Sequence, residues 1–267
     1  MQTLFFMILT TVFTLGYLIA PDQFKISTEE IMAPTAEPTM IVRQLEDHPV
    51  DASVNPVQYD VPVSPTGDPS EMTPQSIFGS AKTEDIFERG SSGFGINAGL
   101  NDDENIRIIA LNKRLSLEPK KDNGWITWRL RPPTVKDSAA DMEFSIITCA
   151  RGDRTGILMR SSDYTSGHGY YFSLSCEGTI SILRDSTVLD TADARGVFNN
   201  NSSDVNVLTA MARGNVLSAY LNGQHLLSVR DDAYAEGFSG FFTAPQGQNT
   251  LTMDLLSFKE YYSEEVK

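Results

Sequence analysis

Between Thr155 and Arg184 the chain alternates short aliphatic and aromatic runs with turn residues, and this stretch restricts the fold more than any other. Thr155 to Arg160 and Tyr170 to Ser175 are separated by SSDYTSGHG, whose serines, aspartate and glycines favour turns. A third run follows Glu177-Gly178. Runs this short, joined this closely, pair as neighbours in an antiparallel meander.

The same pattern extends to both sides. Phe94 to Gly99 reads as a first strand, Asn105 to Leu117 holds two β-rich halves, and Gly124 to Leu130 is another candidate. Further strands are predicted at Asp141 to Ala150, Val205 to Arg213, Val216 to Leu221, Leu226 to Val229, Phe238 to Thr243 and Leu251 to Tyr261. Gly214-Asn215, Asn222-Gly223 and Glu236-Gly237 separate them. Asn222-Gly223 between two apolar runs is the strongest of these turns, because both residues tolerate the positive φ of a type I′ hairpin. About twelve strands without a long helix predict an all-β, two-sheet antiparallel sandwich over residues 77–262, with 263–267 as a tail.

Upstream the character differs. Leu4 to Ala20 carries no charge, and as a helix it would span roughly 25 Å, enough for a thinned bilayer core. A cleaved signal peptide is the rival reading. Against it, no Lys or Arg precedes the apolar run, and Leu18-Ile19-Ala20 followed by Pro21 makes a poor cleavage site. Residues 21–76 hold nine of the thirteen prolines, and acidic residues far outnumber basic ones. Such a segment buries too little surface to offset its ordering entropy, so it is expected to be a disordered spacer. The net charge of −14 argues against nucleic acid and against anionic lipid headgroups.

GILMRSSD, GYYFSLSCEGTISI, NVLTAMARGNVLSAYLNGQHLLSV, GFSGFF and MDLLSF, in that succession, resemble the concanavalin A-like, LamG-type jelly-roll domains of exported bacterial proteins. The resemblance covers roughly Ile77 to Tyr262. It implies a jelly-roll sandwich, but such domains include sugar-binding modules, glycoside hydrolases, adhesion modules and spacers.

Strand alternation puts Arg160 and Tyr171 together on the non-core face of neighbouring strands, close enough to pair. On a concave jelly-roll face, an arginine fork and aromatic plates suit sugars, although a cation–π pair stitching two strands would look the same. Tyr164 and His168 in the intervening loop could extend such a site. Trp125 and Trp128, three apart on one predicted strand, face opposite ways, so at most one is a sugar platform, and Trp128 is taken as that one. Asp254 in MDLLSF resembles the last-strand aspartate that helps hold a structural calcium in related modules. Asp102 and Asp103 could add ligands, and an acidic turn beside an edge carboxylate is the plainer reading.

Cys149 and Cys176 are the two cysteines. If both end strands of one meander, they lie roughly 9 to 10 Å apart, too far for easy bonding, while an exported compartment favours a disulfide. No strand offers the acidic cluster of a glucanase, a Ser-His-Asp arrangement would rest on His168 alone, and no phosphate-loop, zinc-protease or dinucleotide motif occurs. Arg151-Gly152-Asp153 is too short a motif to carry weight. The expectation is therefore a membrane-tethered, extracytoplasmic, non-catalytic module that binds carbohydrate. A protein-binding subunit of an envelope assembly is the alternative, and a glycoside hydrolase is the least favoured reading.

Overall fold

The computed structural model describes residues 72–202 and 204–263. The apolar segment Leu4–Ala20, the greater part of the 21–76 spacer, and residues 264–267 of the tail lie outside the described residues.

The first described element is a single helical turn, α1 (Pro74–Phe78), with Thr73 capping it and Pro74 at its first position. Strands β1 (Thr83–Asp85), β2 (Gly90–Ser91), β3 (Ile96–Asn97), β4 (Gly99–Asp102), β5 (Ile106–Ala110) and β6 (Leu115–Pro119) follow. Next come β7 (Thr127–Val135), β8 (Ser138–Thr148), β9 (Arg154–Ser161), β10 (Tyr170–Ser175), β11 (Thr179–Arg184) and β12 (Thr187–Asp193). The chain finishes with β13 (Asn206–Arg213), β14 (Val216–Leu221), β15 (Gln224–Arg230), β16 (Gly237–Ala244) and β17 (Thr252–Tyr262).

These strands form two antiparallel sheets and a short β2–β3 hairpin. One sheet runs β15-β14-β13-β8-β17-β6-β5-β4, with β1 also on β17; the other runs β12-β11-β10-β9-β16-β7. Alternation explains why they stack. Ile157, Phe172 and Phe241 of the six-stranded sheet share one core with Leu115, Met142, Phe144, Ala210 and Leu255 of the nine-stranded sheet. The meander β9-β10-β11 forms as expected, and Asn222 and Gly223 take φ of 51° and 79° at the β14–β15 hairpin.

Two further apolar clusters lie outside this core. Met72, Ile77, Phe78 and Ala81 pack against Ala139, Met211, Tyr220 and Tyr261, so Met72, before Ile77, already packs on the domain. On the six-stranded sheet, Leu130, Leu158, Tyr171, Leu183 and Phe242 gather under Ile126, Trp128 and Phe238.

Three details depart from the sequence expectation. β12 carries few buried residues and so lacks a strong apolar signal. β7 continues through Pro132-Pro133, which is tolerated because β7 is an edge strand paired on one side alone, with β16, and the prolines fall where that pairing shifts register. Most consequentially, Cys149 follows β8 in the nine-stranded sheet and Cys176 follows β10 in the six-stranded one. They do not end strands of one meander. Facing each other across the sandwich, they have Cα atoms 5.8 Å apart and form a disulfide.

Candidate functional site

A groove of about 280 Å³ opens beside the start of β7, lined by Trp125 to Arg129, by Asn105, and by Tyr164 and Thr165. Two local structures build its walls.

The first is the turn from Asp122 to Trp125. Asn123 and Gly124 both adopt positive φ, 56° and 72°, and the Trp125 N–H returns to the Asp122 carbonyl at 3.0 Å. Asn and Gly are the residues that take this conformation cheaply. The Asn123 and Gly124 N–H groups are tied to the Gln246 and Pro245 carbonyls at 3.0 and 2.8 Å. The chain thus turns sharply just before β7 and leaves the Trp125 side chain in solvent, 56% exposed.

The second is the loop from Ser162 to Gly169. Asp163 organises it: Oδ1 accepts the Thr165 and Ser166 N–H groups, each at 2.7 Å, and Oδ2 accepts the Ser166 hydroxyl at 2.7 Å. These bonds, those from Ser166 foremost, hold the Asp163 carboxyl far below the usual carboxylate range. Trp128 Nε1 donates to the Tyr164 carbonyl at 3.0 Å, and the Tyr171 hydroxyl donates to the Gly167 carbonyl. Gly167 lies so close to Trp128 and the Tyr171 hydroxyl that a Cβ there would come within 2.9 Å of both. The Tyr164 ring then rests 4.2 Å from that of Phe238 while remaining 48% exposed.

The floor is polar but electrically balanced. Arg129 Nη2 meets Asp103 Oδ2 at 2.5 Å, and its Nη1 donates to the Trp128 carbonyl at 3.0 Å. Asp103 Oδ1 also accepts the Asn105 and Ile106 N–H groups at 2.8 and 2.9 Å. Burial raises the Asp103 carboxyl, but those two amides and then Arg129 outweigh it, and the group sits below its ordinary value. Thr127 also lines the groove, but its hydroxyl oxygen is buried and is not presented to it.

The residues singled out from sequence divide accordingly. Tyr164 and Trp128 line the groove. So does Trp125, which corrects the expectation that the two tryptophans face opposite ways: strand alternation does not apply, because Trp125 belongs to the turn preceding β7. The Asn123-Gly124 dipeptide is the sequence signal that could have shown this. Tyr171 is 5% exposed and, with its hydroxyl pushed up to about 12 by burial, serves as a post under the loop. His168 lies apart from the groove with Nδ1 3.3 Å from Asp185. Asn105, Thr165 and Arg129 have no distinctive local motif and emerge only in three dimensions.

Arg160 is the clearest correction. Met159 and Arg160 together oppose Ser239, a bulge that breaks alternation, and Arg160 has a φ of 51°. Its side chain, 2% exposed, is turned to one end of the sandwich, away from Tyr171. There Nε donates to the Lys136 carbonyl at 2.9 Å, and Nη1 to those of Gly214 and Tyr234 at 2.8 and 3.1 Å. Burial lowers its pKa, with Asp137 opposing. The expected Arg160–Tyr171 pair is not formed.

The carboxylates expected to hold calcium are not brought together. Asp254 is engaged by Arg114 at 2.9 Å and by the Ser116 hydroxyl at 2.5 Å. Asp102, whose carboxyl is held low by a hydrogen bond from Lys120, lies on β4, three strands from β17 and hence roughly 14 Å away laterally. Calcium needs six to eight converging oxygens, and these carboxylates neither converge nor lack cationic partners. Among the described residues, the one group of donors close enough for a metal is Cys149, Asp153 and Cys176, two of which are the disulfide. Asp153 is buried, with Oδ1 2.7 Å from the Gln246 amide, so Arg151-Gly152-Asp153 is a structural turn.

The domain is similar to a protein of unknown function with a galectin-like fold from Bacillus subtilis: 12% identity, 69% of this chain, 96% of that chain and a TM-score of 0.52. The carbohydrate-binding module CBM66 of Bacillus subtilis aligns at 13% identity over 62% of this chain and 92% of its own, with a TM-score of 0.44. The lectin UEA-II aligns at 11% identity over 68% and 99%, with a TM-score of 0.46. No protein-family model and no curated protein matches the sequence. At such identities the likeness is one of fold, and with the two-sheet topology it describes an antiparallel β-sandwich of galectin-like fold.

Proposed function

We propose that this chain is an extracytoplasmic carbohydrate-binding module, tethered through Leu4–Ala20 and a Pro-rich spacer, and that the groove beside β7 is its binding site. The observation that carries the reading is the exposure of two aromatic side chains, Trp125 and Tyr164, that line one groove together with polar residues. Sugar rings present apolar C–H faces to aromatic plates and hydroxyls to amide and hydroxyl groups, and this groove has both. The inter-sheet disulfide supports export, because such bonds persist in oxidising compartments. The carbohydrate binding named for two of the similar structures belongs to those proteins, and the reading rests on the groove.

The test is retention of the described domain on immobilised amylose, cellulose, mannan and galactan. Retention of at least one polymer is expected, with Trp125→Ala and Tyr164→Ala each weakening it about tenfold or more at unchanged melting temperature. Variants that bind like the parent would remove the groove from consideration, and absence of retention on every polymer would remove the activity. One observation favours the alternative of a protein-binding envelope subunit. Leu100 and Leu111 are 63% and 58% exposed beside the free edge of the nine-stranded sheet.

A further inference from the structure

The charges of the groove narrow its ligand. Arg129 is the lining cation, and an arginine is the natural fork for a sugar carboxylate. Here that fork is already engaged by Asp103 at 2.5 Å and by the Trp128 carbonyl at 3.0 Å. Asp103 is itself held by the Asn105 and Ile106 amides, so its carboxylate is fixed over Arg129. An incoming carboxylate would have to displace it, or lie beside it as a like charge, on a chain of net charge −14. The other polar side chains of the lining are neutral: the Asn105 side-chain amide and the Thr165 hydroxyl, which donates to Asp163 Oδ1 at 2.9 Å and keeps its oxygen to accept from a ligand.

Resting on the carbohydrate reading above, we infer that the groove selects neutral glycans and that Asp103 is the residue that rejects acidic ones by masking Arg129. Asp103→Asn keeps an oxygen for the Asn105 and Ile106 amides but removes the charge, leaving Arg129 free to receive a uronate.

The experiment compares native amylose, cellulose and mannan with the same polymers oxidised at C6 to uronates, at low and high salt. The parent protein is expected to retain a native polymer at least tenfold better than its oxidised form. Asp103→Asn is expected to close or reverse that gap at low salt, with the gain lost at high salt. Arg129→Gln, which leaves the Asp103 carboxylate without its cation, is expected to widen it, and it provides the answer if Asp103→Asn does not fold. Equal retention of native and oxidised polymers by the parent, or variants that leave the ratio unchanged, would overturn this inference while the carbohydrate reading stands. A parent protein that retains none of the polymers in either form would overturn both.

Discussion

Arg160, on β9 of the six-stranded sheet, donates from Nη1 to the carbonyl of Gly214 in the β13–β14 turn of the nine-stranded sheet, at 2.8 Å. The same guanidinium holds the Lys136 and Tyr234 carbonyls, so one side chain gathers three connections at one end of the sandwich. The bulge at Met159-Arg160 is what aims it there.

Replacing Arg160 with alanine removes a buried side chain and the three hydrogen bonds it donates to those carbonyls, each worth on the order of 1 kcal/mol. The expected loss is about 3 kcal/mol of unfolding free energy in urea. An exposed binding residue would change it by no more than about 0.5 kcal/mol, so a shift of that size would show that Arg160 has no clamping role.

The Cys149–Cys176 bond closes a separation of 27 residues between the two sheets. On the chain-entropy account a closed loop of that length contributes about 3.5 kcal/mol. The double serine variant, or the parent in dithiothreitol, is expected to unfold at a correspondingly lower urea concentration with an intact fold in water. Unchanged midpoints would mean that the unfolded chain gains little freedom on reduction.

Tyr171→Phe removes the hydroxyl that supports the loop at Gly167 while keeping the ring in its apolar cluster. The cost is expected to be about 1 kcal/mol. Because Tyr164 and Thr165 ride on that loop, glycan affinity should fall by up to about fivefold, as isothermal titration would read. Undiminished affinity would show that Trp128 alone positions the loop.

Glu260 on β17 is 2% exposed, bonded to the Ser239 hydroxyl and 3.0 Å from Arg131 Nε. Burial raises its carboxyl against the pull of Ser239 and then Arg131. The folded state therefore keeps this proton to higher pH than the unfolded chain does. The linked stabilisation is full below the ordinary value of 4.5 and is lost as pH rises through the folded value. The unfolding free energy of the parent minus that of Glu260→Gln should accordingly fall with rising pH above 4.5, and a flat difference would contradict the burial argument.

Residue periodicity and turn chemistry are local, and they determined a great deal. The alternation of Tyr170, Phe172 and Leu174 with Tyr171 and Ser173 separated core from outer face correctly, because a strand's side chains alternate whatever its neighbours are. Asn222-Gly223 marked its hairpin for an equally local reason, a backbone conformation few other residues accept.

What the tertiary structure alone decided concerns which strands share a sheet and where alternation stops. Cys149 and Cys176 became partners because β8 and β10 lie in facing sheets, a pairing made between distant segments. Arg160 left the outer face through a single-residue bulge defined by Ser239, 79 positions later. Asp254 was committed to Arg114 and Ser116 by the register of β17 on β6. Asp103 and Arg129 met because the ends of β4 and β7 converge beside one groove. Each of these follows from hydrogen-bond register and sheet stacking between segments far apart in the chain, whereas periodicity reports only on a residue and its immediate neighbours.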